Sequence, residues 1–165
     1  MKNPLFSEKA YLNGEFISND NRFEIINPST NKSIGSLPNL TVADCKNTID
    51  AAQEAWLIWK NTSVGERCAI VHKIYELTLQ YKNELAEIMT LESGKPLTES
   101  LGEVDYGNSF VEWFAEEGKR AYGETIPSIN GSTRISTIKQ GVGVVAAITP
   151  WNFPLAMISR KLAPA

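Results

Sequence analysis

Pro150-Trp151-Asn152-Phe153-Pro154 is the stretch in which residue type and spacing come nearest to a catalytic device. Each proline locks its own φ and biases its predecessor toward extended backbone, so Asn152 stands in a stiff segment between two bulky aromatics. A stiffly held amide donor is what an oxyanion hole requires, because the donor must be aimed before negative charge develops. The same five residues also make a turn with aromatic anchors. Spacing alone leaves both readings open.

Other chemical signals are weaker. Gly141-Val142-Gly143-Val144-Val145-Ala146 matches the G-x-G-x-x-G/A dinucleotide fingerprint letter for letter. That fingerprint works by following a strand and opening a helix, so that its amides face a pyrophosphate. Here the glycines precede a β-branched run closed by Thr149-Pro150, and no Asp or Glu follows residue 124. The glycines therefore read as admitting close packing at the entrance to a strand. His72, the single histidine, has neither metal-ligand spacing nor a partner nucleophile and reads as an ordinary helix residue. Cys45 reads as a small core residue, and nothing in the sequence activates Cys68. Glu112, Glu116 and Glu117 could mimic an acid/base pair but read as the solvated face of a helix.

The elements that must position these residues follow from local patterns. Asn13-Gly14 between apolar residues predicts a hairpin over residues 11–17, and residues 23–26 form a second β segment stopped by Asn27-Pro28-Ser29-Thr30. Thr41 with Asp44, and Ser63 with Glu66, have the spacing of helix capping pairs. After the first, Val42, Cys45, Ile49, Ala52, Trp56 and Trp59 predict a helix with one buried face. After the second, Ile70, Ile74, Leu77 and Tyr81 continue the period into another helix. A third holds Leu85, Ile88 and Met89 and stops at Gly94 and Pro96. A fourth starts near Leu97, carries Tyr106, Phe110, Trp113 and Phe114 as an aromatic stripe, and ends over residues 118–123.

Beyond it, residues 133–139 alternate as a strand with one wet face, whereas residues 142–148 are apolar on both faces and predict a central parallel strand buried on both sides. Pro154 then opens a helix from its first position, with Leu155, Ile158 and Leu162 on one side. A doubly buried strand needs an open sheet around it, so the chain reads as the N-terminal piece of a larger α/β protein. By itself it would expose an unpaired strand edge and be poorly soluble.

Composition narrows the class of partner. The 165 residues are 42% hydrophobic and 21% charged, which suits a globular domain and excludes a disordered or collagen-like chain. Sixteen Lys and Arg against nineteen Asp and Glu leave a formal charge of −3, with no basic surface for nucleic acid or anionic lipid. Two cysteines make no disulfide framework and suit a reducing, cytoplasmic setting. The opening residues lack a signal-peptide core, and no apolar run is long enough to span a bilayer.

At Thr149-Pro150-Trp151-Asn152-Phe153-Pro154 the sequence resembles the aldehyde dehydrogenase family. The resemblance covers nearly the whole chain. It includes residues 23–30 followed by Ile34-Gly35, the segment Glu92-Ser93-Gly94-Lys95-Pro96-Leu97, and residues 113–127. The last of these, taken with residues 148–161, is similar to the succinate-semialdehyde dehydrogenase branch of the family.

That resemblance implies an α/β, aldehyde dehydrogenase-like fold. Residues 1–123 would be the first part of the cofactor-binding domain, with helices and an N-terminal β hairpin. Residues 124–140 would be an oligomerisation β segment, and residues 141–165 the start of the parallel sheet. It further implies Asn152 as the oxyanion donor. Ile148, Thr149, Pro150, Trp151 and Asn152 would border the groove for the nicotinamide and ribose of NAD or NADP, and Arg160 would bind the substrate's distal carboxylate. No metal is implied. In the family pattern the catalytic cysteine, the general-base glutamate and the residues meeting the adenosine ribose lie beyond Ala165, so these residues alone are expected to be inactive. The activity implied for the whole enzyme is oxidation of succinate semialdehyde to succinate through a cysteine thiohemiacetal, by a homodimer or homotetramer. Two alternatives stand beside it: another semialdehyde such as glutarate semialdehyde, and a noncatalytic interaction module pairing through its exposed β segment.

Overall fold

A computed structural model of the chain describes residues 3–165. Its β structure is confined to three antiparallel pairs, and helices carry the core. Strands β1 (Ala10–Leu12) and β2 (Glu15–Ile17) form the expected hairpin. Asn13 and Gly14 sit at φ of 47° and 87°, the left-handed conformations that a two-residue hairpin turn needs and that Asn-Gly tolerates. Strand β3 (Arg22–Asn27) pairs with β4 (Lys32–Pro38). In the turn between them Asn27 Oδ1 accepts hydrogen bonds from the amides of Ser29 and Thr30.

Both capping pairs form. Helix α1 (Val42–Trp59) starts at Thr41, whose hydroxyl accepts from the Asp44 amide while Asp44 Oδ2 accepts from the Thr41 amide at 2.8 Å. Helix α2 (Val64–Gln80) starts at Ser63 with the same reciprocal bonds to Glu66. The amide and hydroxyl of Thr41 hold the Asp44 carboxyl below the usual carboxylate range, and the hydroxyl and amide of Ser63 do the same for Glu66. A carboxylate whose folded pKa is depressed contributes stability that is complete above its unfolded pKa and is lost as pH falls through the folded value. The ordinary values are 3.8 and 4.5, so the loss falls at and below them. Circular-dichroism melts of the Thr41→Ala/Ser63→Ala variant should show a lower Tm than wild type at pH 7 and a smaller further drop on acidification to about pH 3. Parallel acid limbs in the two proteins would mean that the capping boxes do not carry the pH dependence.

Helix α3 (Lys82–Ser93) stops where expected, at Gly94 in the left-handed conformation (φ 73°). Helix α4 (Leu97–Glu117) is the spine of the fold, packed against α2, α3 and α5 (Pro154–Leu162), and runs into a 3-10 turn over Gly118–Arg120. Its buried face is Ser100, Glu103, Val104, Gly107, Asn108, Val111 and Ala115, a row of mostly small or polar residues. Val104 joins Ala86 and Met89 of α3 in the core, with Leu85, Leu101 and Leu155 around them. A Cβ on Gly107 would lie 3.1 Å from the Ala156 Cα, so the absence of a side chain is what lets α5 lie against α4. Of the aromatic stripe, Tyr106 and Trp113 are exposed and Phe110 and Phe114 are half-buried.

Three other expectations are corrected. Helix α1 buries none of its residues, Val42 and Ile49 are exposed, and so is Cys45. Amphipathic period predicts a face that can be buried, but among the described residues no other element packs extensively along α1, and Ala52, Trp56 and Trp59 are only half-buried. In α2 the row Ile70, Ile74 and Leu77 is also exposed, and Cys68 is the buried residue. Residues 142–148 join no strand, and Val142 and Ile148 are exposed instead of doubly buried. A strand takes its backbone hydrogen bonds from neighbours, and among the described residues no strand pairs with this segment.

The wet strand expected over residues 133–139 is shorter, as β6 (Arg134–Ser136) paired with β5 (Thr125–Pro127), and both its faces are exposed. At its base a Cβ on Gly123 would overlap the Thr137 carbonyl oxygen, so the approach of the two chains depends on glycine. Among the described residues no helix is long and apolar enough to cross a membrane.

Candidate functional site

Chemistry-bearing residues gather at the two ends of α5. At its start, residues 151–153 bend into the helix and Pro154 occupies the first turn, where its missing N–H costs nothing. Phe153 is the N-cap and offers no side-chain cap. The first amides of a helix have no carbonyl partner within it. Here the partner comes from α4: Glu103 Oε1 accepts from the amides of Leu155 at 2.9 Å and Ala156 at 3.3 Å. The other oxygen, Oε2, pairs with Lys95 Nζ at 2.5 Å. The Glu103 side chain is only 1% exposed, so this is a buried charge compensated by an ammonium and by the positive end of a helix.

Lys95 follows the Gly94 cap directly, which brings its stem across to the turn before α5. Its Nζ also donates to the Asn152 carbonyl oxygen at 3.2 Å and lies 5.1 Å from the centre of the Phe153 ring. Asn152 is thus held through its backbone while its side chain stays exposed. Around it Ile148 and Trp151 are 88% and 86% exposed, Pro150 is exposed and Thr149 is half-buried.

At the other end of α5, the Arg160 guanidinium lies 4.6 Å from the centre of the Phe110 ring and 5.7 Å from that of Tyr106. Its terminal nitrogen Nη2 donates to the Tyr106 hydroxyl at 2.5 Å. Its Nε is buried without a hydrogen-bond partner, and among the described residues no carboxylate pairs with it. An arginine stacked on two aromatics is a fixed positive charge, and its Nη1, which makes no hydrogen bond among the described residues, leaves valence for an anion that the buried Nε does not. Six residues separate Pro154 from Arg160, about 9 Å of helical rise. The arrangement offers an amide donor at one end of a short helix and a guanidinium at the other.

The remaining candidates lie outside this cluster. His72 is exposed on α2, 3.8 Å from Glu76 and tilted against Tyr75. Cys68 packs under Gly118, where a Cβ would come within 2.7 Å of its sulfur. Glu116 and Glu117 pair on the surface with Lys119 and Arg120, as a solvated face would. Of the glycines read as admitting close packing at a strand entrance, Gly141 does pack closely, since a Cβ there would run into the Trp56 ring, whereas Gly143 has open space around it and no strand follows.

Lys95, Glu103, Tyr106 and Phe110 carry functional geometry that sequence reasoning did not assign. For Glu103 a signal existed: a lone carboxylate in the row Ser100, Val104, Gly107, Val111, whose other members are small or apolar. Tyr106 and Phe110 stood in the aromatic stripe, but which cation they hold is a tertiary fact.

A model of the aldehyde dehydrogenase family matches residues 16–165. The chain is 50% identical to succinate semialdehyde dehydrogenase of Acinetobacter baylyi over 98% of its own length and 34% of that protein's. It is 47% identical to glutarate-semialdehyde dehydrogenase of Pseudomonas putida, with the same shares covered. Superposed on the crystal structure of succinate-semialdehyde dehydrogenase from Burkholderia pseudomallei it gives a TM-score of 0.94 at 46% identity, covering 100% of this chain and 35% of that one. The chain therefore spans about a third of the length of the curated relatives it matches.

Proposed function

The chain belongs to the aldehyde dehydrogenase family, and we propose that the enzyme to which it contributes oxidises succinate semialdehyde to succinate with NAD or NADP. The observation that carries the substrate is Arg160, a guanidinium fixed on Tyr106 and Phe110 that no carboxylate among the described residues pairs with. A substrate with an aldehyde at one end and a carboxylate at the other meets both ends of α5.

In this reading Asn152 donates its side-chain N–H to the oxygen of the thiohemiacetal formed on a thiolate supplied outside residues 1–165. The donor is in place before the carbonyl oxygen becomes negative, and an amide needs no proton transfer to stabilise it. Arg160 holds the far carboxylate and so fixes how deep the aldehyde carbon sits. Asn152 and Arg160 divide the work, one acting on the transition state and the other on binding and register.

The family implies a nicotinamide nucleotide, which when bound would take up the hydride leaving the thiohemiacetal carbon, after which water would hydrolyse the thioester to succinate and free the thiolate. The residues here fit the nucleotide. Ile148 and Trp151 present broad exposed apolar surface for the ring and ribose, and the Thr149 hydroxyl and the open backbone of residues 148–152 supply polar contacts. Ile148, Thr149, Pro150, Trp151 and Asn152 are the residues that would hold it.

The same reading takes residues 1–123 and 141–165 as parts of the cofactor-binding domain. The exposed β5–β6 hairpin within residues 124–140 would be the oligomerisation segment of a homodimer or homotetramer, which its open edges support. A cytoplasmic setting accords with two free cysteines.

Steady-state rates of the full-length enzyme on semialdehydes of three, four and five carbons test the proposal. The four-carbon substrate should have the highest kcat/KM, with uncarboxylated aldehydes of equal length about tenfold or more below it. A maximum at five carbons would move the assignment to glutarate semialdehyde. Equal rates on carboxylated and uncarboxylated aldehydes would overturn it.

A further inference from the structure

We infer that Lys95 and Glu103 are positioning residues for the oxyanion donor: together they hold the turn that presents Asn152. The inference rests on the role of Asn152 proposed above and adds to it the pair that sets its orientation. The turn is pinned on both sides by one ion pair whose carboxylate is buried. Ahead of Pro154, Lys95 Nζ holds the Asn152 carbonyl oxygen, and after it Glu103 Oε1 holds the amides of Leu155 and Ala156. The 2.5 Å contact between Lys95 Nζ and Glu103 Oε2 joins the two clamps.

Prolines at 150 and 154 restrict the backbone between them but do not choose how that rigid piece sits on α4. Only bonds to a different element can do that, and α5 has no cap of its own. Glu103 is almost fully buried, which keeps its bonds to the Leu155 and Ala156 amides from being exchanged for water, while the Lys95–Asn152 bond lies at the surface and is anchored through the Lys95–Glu103 pair. An oxyanion donor loses most of its effect when misaimed by a fraction of an ångström, so a pair that fixes the peptide carrying Asn152 acts on kcat without touching substrate.

Two measurements test this. The first reads the turn itself by amide hydrogen exchange. Leu155 and Ala156 have no helical carbonyl to donate to, so Glu103→Ala should speed their exchange about tenfold or more, whereas Glu103→Gln, which keeps an acceptor of the same length, should leave it near wild type. Unchanged exchange in Glu103→Ala would overturn the clamp. The second is a double-mutant cycle in the full-length enzyme between Lys95→Met, which keeps the apolar stem, and Asn152→Ala. Lys95→Met should lower kcat about tenfold in the parent, and less than about twofold once Asn152 is gone, with KM little changed in both. Equal losses in the two backgrounds would show a merely structural role and overturn the positioning. A wild-type enzyme inactive on every aldehyde, with exchange at Leu155 and Ala156 behaving as expected, would instead refute the functional reading and leave the clamp standing.

Discussion

Replacing Asn152 by Ala in the full-length enzyme should lower kcat by about 10² to 10³, equivalent to about 2.7 to 4 kcal/mol, while the cofactor Kd barely moves. The size of the effect follows from when the interaction is made. A ground-state aldehyde oxygen carries little charge and gains little from the Asn152 amide, whereas the tetrahedral oxygen carries a full one, so the bond strengthens only as the reaction proceeds. The turn is built for such a donor: its backbone carbonyl is engaged by Lys95, the next residues lock into α5, and the side chain remains exposed. Pre-steady-state measurement of the hydride step with succinate semialdehyde, and cofactor titration by fluorescence, would check both halves. A defect confined to KM would mean that Asn152 positions the substrate and does not stabilise the transition state.

Arg160→Ala should cost about ten- to a hundred-and-fifty-fold in kcat/KM for succinate semialdehyde, because a charge-assisted pair with a carboxylate contributes about 1.5 to 3 kcal/mol. Butyraldehyde has the same chain length and no carboxylate, so its kcat/KM should be nearly unchanged. The alternative for a basic residue in the last turn of a helix is a solvated group complementing the helix dipole. The geometry argues against that role, since the guanidinium is stacked on Tyr106 and Phe110 and its Nε is buried. Equal losses on both aldehydes would point to misfolding of α5 against α4, and no loss on either would remove the case for a carboxylated substrate. Removing the Tyr106 hydroxyl alone leaves the charge in place, so it is the arginine on which the measurement turns.

What local sequence determined here is what short-range sterics and hydrogen bonding decide. Asn13-Gly14 specifies its hairpin because few other pairs tolerate two left-handed residues, and Thr41 and Ser63 start helices because their hydroxyls satisfy amides three residues on. Gly94 ends α3 and Pro154 opens α5 for equally local reasons. The stiffness around Asn152 was legible too, because two prolines act on their own neighbours whatever surrounds them.

Tertiary structure alone decided which faces are buried and which charges meet. Periodicity could show that α1 and the run of residues 142–148 are able to be covered, but covering needs a partner, and among the described residues no helix packs extensively on α1 and no strand pairs with 142–148. In α4 the packed row is the small and polar one, since close approach of α5 at Gly107 and of α2 at Asn108 favours short side chains over the aromatics one step around the helix. The contacts of Lys95 with Glu103 and Asn152, and of Arg160 with Tyr106 and Phe110, join residues that are distant in the chain or on different helices. Such pairings are set by how α3, α4 and α5 cross, a property of the whole packing that no local pattern encodes.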